Sequence, residues 1–304
     1  MNQEDKYNDE IDLYELFIIA WNKKFFVVSL TSIFAIISVI YSLSLPNVYT
    51  STSLLAPSNQ EDTFTSRLGG MSGLASIAGV NLSQSNATTS DEAIGRVKSF
   101  NFFSNYILPN IKLENLLAVK EWVSESNTII YDQGVFDSKT NKWLGNDFNI
   151  NNTQPSNQQA YRRYSDIFSI NVDEENGFVS FSIKHQSPEL AKKWLDLIIY
   201  NINESMREID KRDAQNAINF LNESTNTTSI QSIREVISAL LESKMQTLML
   251  ASTNKDYVFK VLDSPIVPEL KSGPYRSIIC LIGTLIGGFI SLLIVFIQHF
   301  RKKT

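Results

Sequence analysis

The sequence has almost no cysteine and almost no histidine. Cys280 is the single cysteine, and His185 and His299 are the only histidines. One thiol cannot build an intramolecular disulfide framework or a cysteine-rich zinc site. A basic stripe is missing as well, because 27 Lys and Arg stand against 32 Asp and Glu. This charge balance argues against a nucleic-acid partner.

Charge is absent from a long apolar run, residues 25–45, which ends before Pro46. Its 21 residues would form a helix about 32 Å long, enough to cross a bilayer core of about 30 Å. A cleaved signal peptide is the competing interpretation. The preceding stretch 4–15 is acidic, however, the run is long for a signal, and no clean cleavage site follows. We therefore predict a retained transmembrane helix.

A second apolar run covers residues 278–300. A buried helix of a soluble protein is the alternative, but such helices seldom keep about twenty apolar residues. Within the run, Gly283 and Gly287 form a GxxxG pattern and Gly288 adjoins it. Small residues at this spacing let two helix backbones approach closely. We predict that these glycines mediate helix packing, either between subunits or with the first span.

Basic residues beside the two runs predict how the chain is oriented. Lys23 and Lys24 precede the first run, and residues 301–303 follow the second. Positive charge near the ends of short segments stays cytoplasmic. Cytoplasmic segments this short are not expected to hold a catalytic or signalling domain. The predicted segments are 1–24 and 301–304 in the cytoplasm, 25–45 and 275–300 in the membrane, and 46–274 outside it.

Alternating β-branched and aromatic residues predict strands between the spans. Residues 48–55 form the first strand. Residues 168–172 and 178–185 are predicted as a hairpin, because Asn-Gly before the second strand suits a turn. Residues 257–262 form the last strand. Three prolines then lead the chain stiffly back to the membrane: Pro265, Pro268 and Pro274.

Helical periodicity predicts a long pair of helices. Ser187-Pro188 is the clearest helix start, with an N-cap serine and proline at the first position. Apolar residues then recur at helical spacing as far as Asn222, a polar turn is predicted at 224–228, and a second helix covers 229–250. Shorter helices are predicted from Ser90 to Pro109 and over 113–122, a packed helix or contact surface over 68–80, and no firm structure over 124–160.

The two long helices are predicted to form an arm over residues 187–250. An arm of this kind cannot bury its apolar stripe alone, so we predict that it associates with copies of itself. The candidate contact residues are Trp194, Ile198, Ile202, Ile209, Ile233, Ile237 and Leu240.

No nucleophile–base pair or metal-ligand spacing stands out in the sequence. His185 ends a predicted strand and is interpreted as a solvated surface histidine, and His299 sits among basic residues at the lipid boundary. We predict no catalytic residue, no cofactor and no metal ion.

Several segments match a known family in their order and spacing. They are 9–16 (DEIDLYEL), Trp21 with the first span, 45–49 (LPNVY), 54–57 (LLAP), 187–191 (SPELA) and 259–274 (FKVLDSPIVPELKSGP) with the second span. In these features the chain resembles the Wzz-type polysaccharide co-polymerases, the O-antigen chain length determinants. The resemblance extends over essentially the whole chain and is loosest over 60–165.

The resemblance implies an α+β protein of the bacterial inner membrane, with two transmembrane helices, a periplasmic α/β base and a long helical protrusion. It also implies a ring-shaped homo-oligomer that is not an enzyme. Such a protein sets the length of lipid-linked polysaccharide made by a Wzy-type polymerase. Alternatives are an export-linked co-polymerase or tyrosine-kinase adaptor for capsule or exopolysaccharide, and a periplasmic sensor. The kinase domain of some relatives is not expected here.

Overall fold

The computed structural model describes residues 13–58, 89–144, 154–227 and 230–303. They form a mixed structure of helices and strands, which confirms the predicted fold class. The predicted segment 68–80 lies outside the described residues. The helices are α1 Leu13–Asn22, α2 Lys24–Ser44, α3 Thr89–Val97, α4 Leu113–Leu117, α5 Asn157–Ile167, α6 Pro188–Thr227, α7 Gln231–Thr253 and α8 Arg276–Lys303. The strands are β1 Tyr49–Pro57, β2 Val119–Val123, β3 Thr128–Tyr131, β4 Phe136–Asp137, β5 Lys142–Trp143, β6 Phe168–Val172, β7 Val179–His185 and β8 Phe259–Asp263.

The chain divides into two compact units, Val48–Leu270 and a terminal unit of residues 1–47 and 271–304. In the terminal unit, α2 and α8 are long and apolar enough to cross a membrane. Only 11% and 17% of their most apolar windows are buried inside the protein. A core helix of a soluble protein would be mostly covered, so these two helices fit a membrane protein better than a soluble core.

The central unit is built on a four-stranded antiparallel sheet in the order β6-β7-β1-β8. The predicted hairpin is confirmed, with Phe168 opposite Ile183. Its turn places Gly177 at a φ of 71°, which a residue without a Cβ adopts at little cost. Alternate residues of β7 point into the core, because successive side chains of a strand face opposite sides.

The first half of α6 packs across β1 and β7 and closes the core of the central unit. The helix begins as predicted, since Leu190 N donates to Ser187 Oγ at 3.4 Å. Its buried side chains contact the apolar face of the sheet. The largest fully buried members of this core include Phe103, Phe181, Phe259, Leu55, Ile183, Leu195, Ile198 and Ile202.

Two predicted helices are shorter than expected. The helix predicted over 113–122 ends at Leu117, because the next residues, Val119–Val123, alternate and pair with Thr128–Tyr131 as a hairpin. The helix predicted from Ser90 to Pro109 stops at Val97. Ser99 then caps a new turn by accepting from Phe102 N at 3.1 Å. Irregular helical turns follow as far as Asn110.

The polar turn predicted at 224–228 is also wrong where the structure describes it, because α6 continues to Thr227. The hydroxyls that favoured a turn are satisfied within the helix. Ser224 Oγ donates to Phe220 O and Thr225 Oγ1 donates to Leu221 O, both at 2.9 Å. Hydroxyl groups bonded back to the preceding turn no longer compete with the helical backbone.

Candidate functional site

Two glycines of α8 lie against α2 in the terminal unit. A Cβ on Gly283 would lie 2.4 Å from Ser38 Oγ, and one on Gly287 would lie 2.4 Å from Phe34 Cβ. Both distances are too short for a real Cβ, so only glycine permits this approach. Gly288 is different, because its nearest neighbour would be Thr31 Oγ1 at 3.9 Å. In the structure the partner of Gly283 and Gly287 is therefore the first span of the same chain.

Hydroxyl groups line the same seam and bond across it. Ser38 Oγ donates to Ile279 O at 2.9 Å, and Ser42 Oγ donates to Arg276 O at 3.5 Å. A buried polar group in an apolar surrounding needs such a partner. With small residues and interhelical hydrogen bonds along one line, α2 and α8 form a close pair.

The pair is also held at both ends. Lys23 Nζ donates to Gln298 Oε1 at 2.8 Å at one end. At the other end, Arg276 Nη2 donates to Leu45 O and to Asn47 Oδ1, both at 3.2 Å. Arg276 therefore closes this end of the helix pair.

Three of the seven residues predicted as arm contacts belong to the core of this chain instead. Trp194, Ile198 and Ile202 are buried beneath the sheet. The prediction that they contact another subunit is corrected, because the apolar face at the start of α6 packs against the sheet of the same chain. These buried side chains are not available to a partner. Periodicity marked the apolar face of the helix but not what would cover it.

Helices α6 and α7 pack on each other. The four other predicted contact residues differ in their burial. Ile237 is buried and Ile209 is half-buried. Ile233 and Leu240 stay exposed, at 43% each, and Val236 between them is 44% exposed. We call Ile233, Val236 and Leu240 the α7 stripe, since the spacing i, i+3, i+7 places them on one face of the helix.

Asn203 of α6 holds the edge strand β8 in place. Its Oδ1 accepts from Val258 N and Phe259 N, both at 2.8 Å, and its Nδ2 donates to Phe259 O at 3.0 Å and to Ile199 O at 3.2 Å. All four hydrogen-bonding positions of the amide are used. Sequence analysis missed this residue, although an amide amid the buried apolar residues of α6 is the signal that would have found it.

Asp210 and Tyr257 form a second link between α6 and the segment that leads into β8. The Tyr257 hydroxyl donates to Asp210 Oδ2 at 2.8 Å. Burial raises the pKa of Asp210, with the tyrosine bond acting in the opposite direction. Burial and the neighbouring carboxylate both raise the pKa of Tyr257. The pair therefore favours a neutral phenol donating to a partly desolvated carboxylate.

His185 is buried rather than solvated, so its surface interpretation is wrong. Its Nδ1 accepts from Ser187 N at 2.9 Å, its Nε2 donates to Asn115 O at 2.9 Å, and its ring lies edge-on to Trp194. Burial lowers the pKa of His185. The neutral ring is thus a structural element that joins the end of β7 to α4 and α6.

The family-like proline segment begins attached to the sheet. Ser53 Oγ donates to Asp263 O at 2.6 Å, and Ser51 Oγ donates to Ile266 O at 2.8 Å. Pro265, between these two attachment points, is buried. Pro268 and Pro274 are half-buried. Buried serines of β1 therefore fix the first part of the segment.

Comparison with known proteins confirms the resemblance that the sequence indicates. Residues 9–106 match the Wzz family, described as chain length determinant protein, over about a third of the chain. A search of curated proteins gives no match.

Two solved structures are similar to this chain. A full-length bacterial polysaccharide co-polymerase is 13% identical, with 96% of this chain and 99% of that chain covered and a TM-score of 0.42. A fragment of WzzB, a polysaccharide co-polymerase from Salmonella Typhimurium, is 12% identical, with 75% and 100% covered and a TM-score of 0.31.

Proposed function

We propose that this chain is a non-enzymatic regulator of polysaccharide chain length that works as an oligomer in the bacterial inner membrane. The observation that carries the proposal is the match of residues 9–106 to the chain length determinant family. The paired helices α2 and α8 support it by offering an anchor, and the long helices α6 and α7 support it by offering an assembly surface.

The proposed orientation places both termini in the cytoplasm and the central unit in the periplasm. Lys23 and Lys24 at one end of α2, and Arg301 near the end of α8, supply the positive charge expected on the cytoplasmic side. A reporter enzyme active only in the periplasm should be silent when fused to either terminus and active when inserted in the central unit. Activity at a terminus would refute this orientation.

The α7 stripe is the proposed contact between copies. Three large apolar side chains in a row, each more than two fifths exposed, lose favourable burial when they face water. A second copy can cover it with a different face of its own arm. Because such a contact joins two different surfaces, its repetition around an axis would give a closed ring.

The proposed mechanism is scaffolding rather than chemistry. A membrane-anchored ring would hold a Wzy-type polymerase, or time its stay, on a growing lipid-linked polysaccharide. The ring would then favour one range of product lengths. O-antigen is the proposed product, in keeping with the family resemblance.

Deletion of the gene in its own strain tests the function directly. The lengths of the polymer, resolved on a gel, should lose their preferred range while total polymer persists. Complete loss of polymer, or an unchanged ladder, would contradict the proposal.

Leu240→Asp tests the assembly step, with Ser238→Asp as the matched control. Both residues are exposed on α7, and Ser238 lies off the stripe. Leu240→Asp should reduce the mass of the detergent-solubilised particle and broaden the ladder, because a carboxylate cannot be buried against apolar neighbours. Ser238→Asp should change neither. Equal behaviour of the two variants would remove the stripe as the contact.

A further inference from the structure

Helix α1 is separated from the span α2 by a single residue. α1 ends at Asn22 and α2 begins at Lys24, while Lys23 between them has φ −108° and ψ 21°. This backbone departs from α-helical values, so α1 and α2 are two helices rather than one continuous rod. The break leaves α1 free to take a direction of its own.

One side of α1 is covered by the spans and the other is not. Ile19 is only 7% exposed, and α1 contacts both α8 and α2. Phe17 and Trp21 are 62% and 60% exposed, and their rings stack at 5.8 Å between centroids, one helical turn apart. Ile18 beside them is also exposed. Each of these three apolar side chains keeps two fifths or more of its surface exposed.

The uncovered face has the composition of a membrane interface. Tryptophan is enriched at the level of the lipid headgroups, since its ring is amphipathic. Lys24 Nζ lies 5.1 Å from the centre of a Trp21 ring and 5.7 Å from that of Phe25. A lysine packed along aromatic rings can keep its ammonium group in the headgroups while its stem stays in an apolar surrounding.

Attraction to anionic lipid would not draw α1 to a membrane surface. Residues 4–15 carry six carboxylates and one lysine, which anionic headgroups would repel. The favourable contribution must then come from burial of the apolar rings. A position next to a membrane span supplies a bilayer surface within reach of α1 without any further partner.

We infer that α1 lies in the plane of the membrane surface, with Phe17, Ile18 and Trp21 seated at the boundary between headgroups and acyl chains. This inference rests on insertion of α2 and α8 in a bilayer, which is part of the proposed function. It does not rest on control of polysaccharide length.

Depth-dependent quenching of Trp21 tests the inference on the full-length protein. The protein is reconstituted in phosphatidylcholine vesicles whose lipids carry bromine either near the headgroup or near the middle of the acyl chain. The difference in fluorescence between the wild type and Trp21→Phe gives the contribution of Trp21. The other tryptophans, which remain in both proteins, belong to the central unit: Trp122, Trp143 and Trp194. The contribution of Trp21 should be quenched more strongly by the shallow bromine than by the deep one.

A second variant distinguishes a helix in the plane from one that stands upright. Phe17→Trp in the Trp21→Phe background moves the probe one turn along the same face. In the plane, the two probes should show the same ratio of shallow to deep quenching. On an upright helix, four residues separate them by about 6 Å of depth, and the ratios should differ.

Three results would overturn the inference. The first is the absence of shallow quenching of Trp21, and the second is a clear depth difference between the two probes. The third is quenching that appears only when phosphatidylglycerol is added and disappears at high salt, which would mean that charge rather than burial holds α1. Co-flotation of the protein with the vesicles reports insertion of the spans separately, and the polymer ladder reports the proposed function separately.

Discussion

Asn203→Leu should destabilise the central unit by about 3–5 kcal/mol. The variant keeps a similar side-chain volume, so it creates little cavity. It leaves Val258 N, Phe259 N and Phe259 O without their side-chain partner, and Val258 and Phe259 are both almost fully buried. Each unsatisfied buried group costs about 1–3 kcal/mol, and partial relaxation of β8 brings the total toward the lower part of the sum.

Asn201→Leu is the matched control for this prediction. It is the same substitution on the same helix, two residues earlier, where the amide donates to Leu197 O at 2.8 Å within α6. Asn201 is half-buried and no bond to another element is recorded for it among the described residues. Its loss should change stability by no more than about 0.5 kcal/mol.

Thermal unfolding of the full-length protein in detergent, followed by near-ultraviolet circular dichroism, measures the difference. For a unit of this size, about 1 kcal/mol corresponds to about 2–4 °C in Tm. Asn203→Leu should therefore unfold about 10 °C below the wild type, and Asn201→Leu within about 2 °C of it. If both variants unfold together, the bonds of Asn203 to β8 do not stabilise the fold and the reasoning fails.

Gly287→Ala should weaken the pairing of α2 and α8, measured as faster proteolysis of the terminal helices in detergent, whereas Gly288→Ala should not, because only at position 287 would the added Cβ clash with α2. Equal resistance would contradict the assignment of that seam. Burial lowers the pKa of His185 below the value of about 6.5 that it has when unfolded, so the unfolded chain protonates first and stability falls as pH drops below about 6.5. His185→Gln should flatten this loss of Tm between about pH 7 and pH 5, and an unchanged slope would exclude His185 as its source. Burial raises the pKa of Asp210 above its unfolded value, so stability falls as pH rises from the unfolded pKa to the folded pKa of this carboxyl group. Asp210→Asn still accepts a hydrogen bond from Tyr257 and should therefore raise Tm at neutral pH. A lower Tm for this variant at every pH would show that the charge itself is needed.

Local features of the chain were predictable because their signals lie within a few neighbouring residues. The hairpin of β6 and β7 follows from alternation and an Asn-Gly turn, and the start of α6 follows from Ser187-Pro188. The two spans follow from length and lack of charge. The start of α5 could also have been predicted, because Ser156 and Gln159 form a reciprocal capping box at the spacing that the motif requires.

The sequence by itself thus determined where the apolar spans and most helices and strands lie, because periodicity and capping act over one or two turns. Only the tertiary structure decided what each face meets. It directs Trp194 and Ile198 into the core rather than toward a partner, sets Gly287 against Phe34 of the first span, and surrounds His185 with backbone partners from two other elements. These outcomes depend on contacts between residues far apart in the chain, and no local pattern carries that information.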